Sequence, residues 1–416
     1  MLTALLACAD PGTPVDPDPV PAETVASLPA PRPAPAQAAV PWVDEAEVPS
    51  LDDPAGWIFD TSVVHTLSIE LDSAGRDALF VDPYTAVPAE VVFDGVRVAG
   101  TGVRLKGKIG SFRDLDGKAS FKIDFGELVP GGEFWSLEKL VVNGNVVDCT
   151  HLRTTMGYRV FALAGLPSLR TGFATVEVGG EPYGLYTLVE NPDEPWVERG
   201  YPEHPDGNLY DGKYIWHGGW SYTLLDFEGS VQDMFELEEG VDVGHADIHA
   251  VTAAADLAGT PEFYAAAGEV VDWDELHTYW AVEQWIGHVD GYAMNQNNYW
   301  AYFDPSDGKM DMHPWDLDYA FIQDYWWGMS WAAPRGRLAA ACWADEACMA
   351  GQRAAVAELL TALDAVDLVA EHDAAAAVIE ANALDDPRRE CGSWNPEELR
   401  PWLASQSEAL RVFWGL

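Results

Sequence analysis

Positive charge is the scarcest thing in this sequence. There are 23 Lys and Arg against 68 Asp and Glu, a net charge of −45 over 416 residues. A broad nucleic-acid-binding face is excluded on that ground, because phosphate neutralisation takes clustered Lys and Arg. Cysteine is sparse too, five in all, with no C-x-x-C pair and no His–Cys spacing that suggests zinc. No stretch from residue 10 onward approaches the ~20 uninterrupted apolar residues of a transmembrane helix. Hydrophobicity, by contrast, is not lacking: 48% of residues are apolar, with 18 Trp, 15 Tyr and 15 Phe. That supplies a large core and excludes general disorder. The length allows two or three domains, or one large two-lobed domain. The excess carboxylates can hold divalent cations or keep a secreted protein soluble.

The first eight residues end in Leu5-Leu6-Ala7-Cys8, which resembles a bacterial lipobox with Cys8 as the lipidated residue. The basic segment that should precede it is missing, which a start codon placed too late would explain. Residues 9–56 hold 12 of the 28 prolines and one basic residue, Arg32, as expected of a solvated tether. The expected setting is therefore extracytoplasmic, lipid-anchored or secreted. With Cys8 set aside, Cys149, Cys342, Cys348 and Cys391 form an even set suited to an oxidising compartment. Cys342 and Cys348 are close enough for a local bridge, which would leave Cys149 with Cys391; free buried thiols are the alternative.

Beyond the tether the chain reads as a β-rich part, 57–195, and a mainly helical part, 196–416. Strand patterns occur at Val63–Leu71, Glu90–Phe93, Ser120–Phe125, Lys139–Asn143 and Thr175–Val178, with a hairpin over Val176–Leu188 turning at Gly179-Gly180. One helix, His151–Ala164, interrupts them and is ended by Gly165. Helices are predicted over Ala246–Leu257, Trp273–His288 and the Ala-rich Gln352–Ile379, with a hairpin from Asn298–Phe303 to Lys309–His313 embedded among them. The fold class is α+β, in the order in which a two-lobed protein kinase is built, although many α+β folds share it.

The chemistry concentrates in the second part. His288-Val-Asp-Gly-Tyr-Ala-Met-Asn295 has the H-x-D-x-x-x-x-N spacing of a kinase catalytic loop. A carboxylate (Asp290) must meet the attacking hydroxyl, while an amide oxygen (Asn295) a turn away holds a metal on the phosphates. After the hairpin comes Pro314-Trp-Asp-Leu-Asp318, where Asp316 would bridge phosphates through Mg²⁺ and Asp318 could share the cation. Two solvated acids in a turn would read the same way.

The first part supplies a counter-charge. Arg104-Leu-Lys-Gly-Lys-Ile-Gly-Ser111 is a phosphate loop in composition, though it lacks G-x-G-x-x-G. Six of the chain's 23 basic residues fall between Arg104 and Lys122: Arg104, Lys106, Lys108, Arg113, Lys118 and Lys122. Alternation from 120 to 125 places Ser120, Lys122 and Asp124 opposite Phe121, Ile123 and Phe125. A solvated strand face is the plain alternative to a polyanion site.

These segments, with Leu152-Arg153, Gly180-Glu-Pro-Tyr-Gly-Leu-Tyr-Thr-Leu-Val-Glu190, Asp206-Gly-Asn-Leu-Tyr210 and Pro314-Trp-Asp-Leu-Asp-Tyr-Ala-Phe321, occur in one order over residues 65–320. In that order the chain resembles the spore coat protein H (CotH) kinase family. The resemblance implies an atypical protein-kinase-like two-lobed fold that uses ATP and Mg²⁺ or Mn²⁺ to phosphorylate Ser or Thr of secreted proteins. By position, Asp290 looks like the catalytic aspartate and Asp316 the metal-binding one, with Asn295 and Asp318 as auxiliary metal contacts. Lys122 looks like the phosphate-binding lysine, with Lys106 and Ser111 in the phosphate loop. Glu190, at the lobe junction, is placed by the resemblance among the ATP- and phosphate-binding residues, and Arg153 at the helix start suggests phosphate contact.

Two features depart from ordinary kinases: the helix His151–Ala164 holds no Glu, and no Ala-Pro-Glu segment follows Asp318. The stretch Tyr325–Trp331 could cover the cleft, or simply be core. A monomer with a protein substrate and a lipid anchor as its only membrane contact is expected. The rivals are a pseudokinase-like nucleotide- or cation-binding surface protein, and a carbohydrate-active protein, for which the basic residues Arg104–Lys122 would have no role.

Overall fold

The computed structural model describes residues 53–322 and 328–416. Cys8, nearly all of the proline-rich tether and Tyr325, Trp326 and Trp327 lie outside the described residues.

Seven strands close into a barrel. They are β1 (Val64–Glu70), β2 (Val87–Phe93), β3 (Val96–Lys106), β4 (Ser120–Asp124), β5 (Lys139–Asn143), β6 (Thr171–Val178) and β7 (Glu181–Glu190). Their order is β1-β2-β3-β4-β5-β7-β6, and parallel pairing of β6 with β1 shuts the ring. Period-2 alternation fills the interior. In β4, Phe121 and Ile123 are wholly buried inside, while Ser120, Lys122 and Asp124 face out, as the sequence predicts. The register sets Arg104 opposite Lys122 and Lys106 opposite Ser120, so these side chains share the outer face. Arg104 and Lys106 thus belong to a strand, and the expected phosphate loop begins only at Gly107. There φ is +99°, and a Cβ would come within 3.0 Å of the Phe112 backbone, so only glycine fits without strain.

The first-part helix runs Arg153–Leu163. Asp148 starts it, accepting from the Thr150 amide (2.9 Å) and the Arg153 amide (3.0 Å). Met156, Val160 and Phe161 point away from the barrel interior into the larger of two hydrophobic cores, which the rest of the chain shares. That part holds a four-stranded antiparallel sheet made of β8 (Asn208–Asp211), β11 (Glu236–Glu239), β12 (Tyr299–Asp304) and β13 (Lys309–Pro314), in the order β11-β8-β12-β13. A small hairpin, β9 (Ile215–Gly218) with β10 (Ser221–Thr223), stands beside it.

Helix Trp273–Ile286 is capped by Asp272 and stopped by Gly287 at φ +60°. The single Ala-rich helix predicted over Gln352–Ile379 is two helices, Glu346–Asp364 and Leu368–Leu384. Asp367 accepts from the Ala370 amide and starts the second, a cap set between the apolar pairs Ala365-Val366 and Leu368-Val369. No helix among the described residues is long and apolar enough to cross a membrane.

The mixed α/β composition is as expected. A closed barrel followed by helices does not, however, define a two-lobed kinase fold by itself. The two parts on either side of residue 195 are in contact. Asp386 returns to the barrel, pairs with buried Lys118 and accepts from the Leu185 amide at 3.1 Å. Arg388 donates to the carbonyls of Leu115 and Gly117, at 2.9 and 2.8 Å. Cys342 and Cys348 form a disulfide. The Cys149 thiol donates to the Cys391 carbonyl, and its hydrogen bond to the Cys391 thiol lowers that thiol's pKa.

Candidate functional site

The stretch His288–Asn298 is built on a buried acid that sequence reasoning missed. Glu283, wholly buried on helix Trp273–Ile286, accepts from the Tyr279 hydroxyl (3.0 Å) and the Ala293 amide (3.2 Å), and lies 3.2 Å from His288 Nδ1. Gly291 packs so closely that a Cβ would sit 1.8 Å from Glu283 Oε1. With the loop folded over that carboxylate, Asp290 is held from two sides: Asn295 Nδ2 donates at 2.6 Å and Asn298 Nδ2 at 3.0 Å. Burial pushes the Asp290 carboxyl up, and the Asn295 hydrogen bond opposes it. Gln296 and Asn298 take left-handed backbone (φ +49° and +51°), which turns the chain into β12.

Asp316 follows β13 and is itself left-handed, at φ +42°, a backbone state that costs a non-glycine residue roughly 1 kcal/mol or more. One carboxylate oxygen meets Lys106 Nζ at 2.6 Å, and that ammonium lies 5.6 Å from the centre of the Trp315 ring. The other oxygen is buried with no hydrogen-bond partner. Asp318, also buried, has its carboxyl pushed well above the usual range, first by burial and then by the charge of Asp316. Tyr214 and Tyr319 feel the same carboxylates. Burial, reinforced by Asp290 and Asp316, takes Tyr214 up to about 12. Tyr214 also accepts the Ile109 amide at 3.3 Å, tying the loop after β3 to the site.

The sequence-predicted residues divide. Asp290, Asn295, Asp316, Asp318 and Lys106 come together. Lys122 is one residue pair along the same outer face from Lys106. Burial and the neighbouring Arg104 charge pull its ammonium down to about 8, and the charges of Glu238 and Asp193 oppose the fall. The lysine that meets Asp316 is therefore Lys106. Ser111 lies in the loop after Lys106 and is half-buried.

Arg153 stands beside the site but is already engaged. It donates to Glu398 Oε1 (2.7 Å) and the Asp318 carbonyl (3.3 Å), and lies 3.6 Å from Asp148. Glu190 is elsewhere. Its two oxygens are taken by Arg170 and Arg199, each at 2.6 Å, so it holds the end of β7 rather than a phosphate. An isolated acid on a helix, such as Glu283, carries no sequence signal that separates it from the other 67 acids. The amides at Asn297 and Asn298 were visible as a cluster, but their direction was not.

Carboxylate and amide oxygens are the donors that hard divalent cations prefer, and an unpartnered buried carboxylate oxygen is the atom such an ion would satisfy. Asp316, Asp318 and the Asn295 side chain thus fit a divalent cation, with Lys106 as counter-charge until an anion arrives. An aspartate beside an amide on one loop, a second aspartate after a hairpin and a lysine from the facing strand make a kinase-like site. The family comparison agrees. The sequence model described as CotH kinase protein matches residues 103–393, from β3 through the segment that returns to the barrel, and the chain belongs to that family. No curated protein matches the chain.

Proposed function

We propose that this protein is a metal-dependent phosphotransferase of the CotH type, transferring the γ-phosphoryl group of ATP to Ser or Thr of a secreted or surface protein. The observation that carries the reading is the state of Asp316: one oxygen on Lys106, the other buried and unpartnered. In this reading the barrel serves as the first lobe, the helical part as the second, and the site lies where Lys106 crosses between them. Asp316, Asp318 and Asn295 hold Mg²⁺ or Mn²⁺, which when bound neutralises triphosphate charge. Lys106 then turns to the phosphates, and Lys122, behind it on the same face, adds positive potential. Asp290, fixed by Asn295 and Asn298, orients the acceptor hydroxyl and takes its proton. Its raised pKa suits that role, because a base is most useful when its pKa approaches the working pH.

The Cys342–Cys348 disulfide supports an oxidising, extracytoplasmic setting; the lipid anchor at Cys8 remains part of the proposal. The test is an ATP titration with and without Mg²⁺ or Mn²⁺, alongside label transfer from γ-labelled ATP to a Ser-rich peptide. Metal-dependent binding with transfer is expected. Binding without transfer would make the protein a nucleotide-binding relative, and no binding would remove the reading.

A further inference from the structure

Outside that site, three chemically reactive side chains meet in the helical part. Cys342 lies in helix Arg337–Trp343 and Cys348 in the first turn of helix Glu346–Asp364, and the two are bonded as a disulfide. His277 comes from helix Trp273–Ile286; its Nε2 is 3.3 Å from Cys348 Sγ and 3.7 Å from Cys342 Sγ. All three are buried. Among the described residues they are the only trio of His, Cys, Asp or Glu whose ligand atoms all lie within 4.8 Å of one another.

The distances can be set against metal geometry. On a tetrahedral zinc, with Zn–S about 2.3 Å and Zn–N about 2.0–2.1 Å, a sulfur and a nitrogen stand about 3.5 Å apart. The imidazole is therefore already at ligand distance from both sulfurs, and only the sulfurs need to part. The ring is also fixed: Trp273 stacks on it at 5.4 Å, and a Cβ on Gly351 would sit 2.4 Å from its Cε1.

A second observation is independent of the trio. Gln352 is wholly buried, and neither its Oε1 nor its Nε2 has a hydrogen-bond partner. It follows Cys348 by four residues on one helix, so it shares that face, and helical side chains lean toward the N-terminus, here toward Cys348. A buried amide with both ends unmet is what a polar guest would satisfy.

We propose that the reduced form of this cluster is a zinc-type metal site, with the Cys342 and Cys348 thiolates and His277 Nε2 as ligands and Gln352 Oε1 as the fourth donor. A dithiol reductant passes two electrons and two protons to the disulfide, giving two thiols and its own cyclic disulfide. Metal uptake then releases the two thiol protons to water, and the metal keeps its oxidation state. The disulfide and the metal are alternative staples at one place in the core, and neither depends on phosphotransfer.

The test uses the full chain, reduced with a dithiol, freed of it without air, and titrated with Co²⁺. One Co²⁺ per chain is expected, with the visible bands of tetrahedral cobalt and thiolate-to-cobalt charge transfer. Both should vanish on Zn²⁺ addition and be absent from the oxidised chain. Cys342→Ser and His277→Ala should remove the thiolate–imidazole spectrum, and Gln352→Leu should weaken binding about tenfold. Cys149→Ser should leave it unchanged. His277→Ala can still form the disulfide, so its oxidised circular dichroism reports folding separately. A reduced chain without these bands, bands that persist in Cys342→Ser, or bands lost in Cys149→Ser would each overturn the proposal.

Discussion

Glu190, 1% exposed, and Asp316, 16% exposed, are both acids met by cations, yet they are treated in opposite ways. Every oxygen of Glu190 is saturated: Arg170 and Arg199 take one each at 2.6 Å, and the Arg170 amide adds a bond at 3.0 Å. Asp386 is similar, with buried Lys118 and the Leu185 amide. Around Asp316, three acids (290, 316 and 318) share one lysine and the side-chain amides of Asn295, Asn297 and Asn298, while Arg153 is spent on Glu398 and Asp148. A carboxylate saturated by fixed cations closes a structure and has nothing left to bind. A set short of positive charge strains the apo protein and leaves room for a mobile cation. Burial alone therefore does not mark a site; incomplete compensation does.

The largest effect expected from this contrast is at Asp290. Asp290→Asn keeps the shape but removes the proton acceptor, so label transfer should fall about 10²–10⁴-fold while ATP affinity hardly moves. Equal transfer by wild type and variant would mean that another group takes the proton. Glu190→Gln should do the reverse. It leaves two arginines facing a neutral amide, which should cost roughly 3 kcal/mol in urea denaturation, with metal-dependent ATP affinity of the folded protein unchanged. Weakened ATP binding at unaltered stability would erase the distinction and return Glu190 to the phosphate-binding role that the family resemblance implied.

Asp193, just past β7, is an intermediate case. Burial lifts its carboxyl to about 8, and Lys139, Asn191 and Lys122 oppose the rise. Between its ordinary 3.8 and about 8 the folded chain keeps a proton that the unfolded chain releases. Its contribution to stability is complete below that window and is lost as pH rises through it. Asp193→Asn cannot ionise, so the variant should gain on wild type by about 1.4 kcal/mol per pH unit across the window. A pH-independent difference between their unfolding free energies would show that Asp193 is charged in the folded protein.

The legible parts of this molecule were those fixed by local pattern. Alternation placed Lys122 and Phe121 on opposite faces of β4, and the spacing of Asp290, Asn295 and Asp316 announced a site. What was hidden depends on distant partners. Nothing in β6 says that it pairs with β1, so the closed barrel was not foreseen. The sequence reads Lys106 as loop and Lys122 as strand, and only the approach of Asp316, 210 residues away, selects Lys106. Glu190 matched a motif, but its arginines come from an earlier turn and a later helix. His277 shows the same limit, since its cysteines lie 65 and 71 residues downstream, beyond any local metal spacing.

The smallest effect should come from a pair whose bond lengths rival those of Glu190. Arg159 grips Glu371 with one bond to each oxygen, at 2.8 and 2.9 Å, while Arg170 sets two side-chain bonds on one oxygen of Glu190, at 3.0 and 2.6 Å. The difference is water: the Arg159 and Glu371 side chains are 42% and 36% exposed, whereas Glu190 is 1% exposed. In solvent the Coulomb attraction is screened, and the released partner is rehydrated instead of stranded. Glu371→Gln should therefore shift stability by about 0.5 kcal/mol, and less in high salt, against roughly 3 kcal/mol for Glu190→Gln. Measuring both variants by urea denaturation at low and high salt isolates burial as the variable. Similar losses from the two would mean that hydrogen-bond geometry, not desolvation, sets the worth of these acids, and incomplete compensation would then be no guide to the site around Asp316.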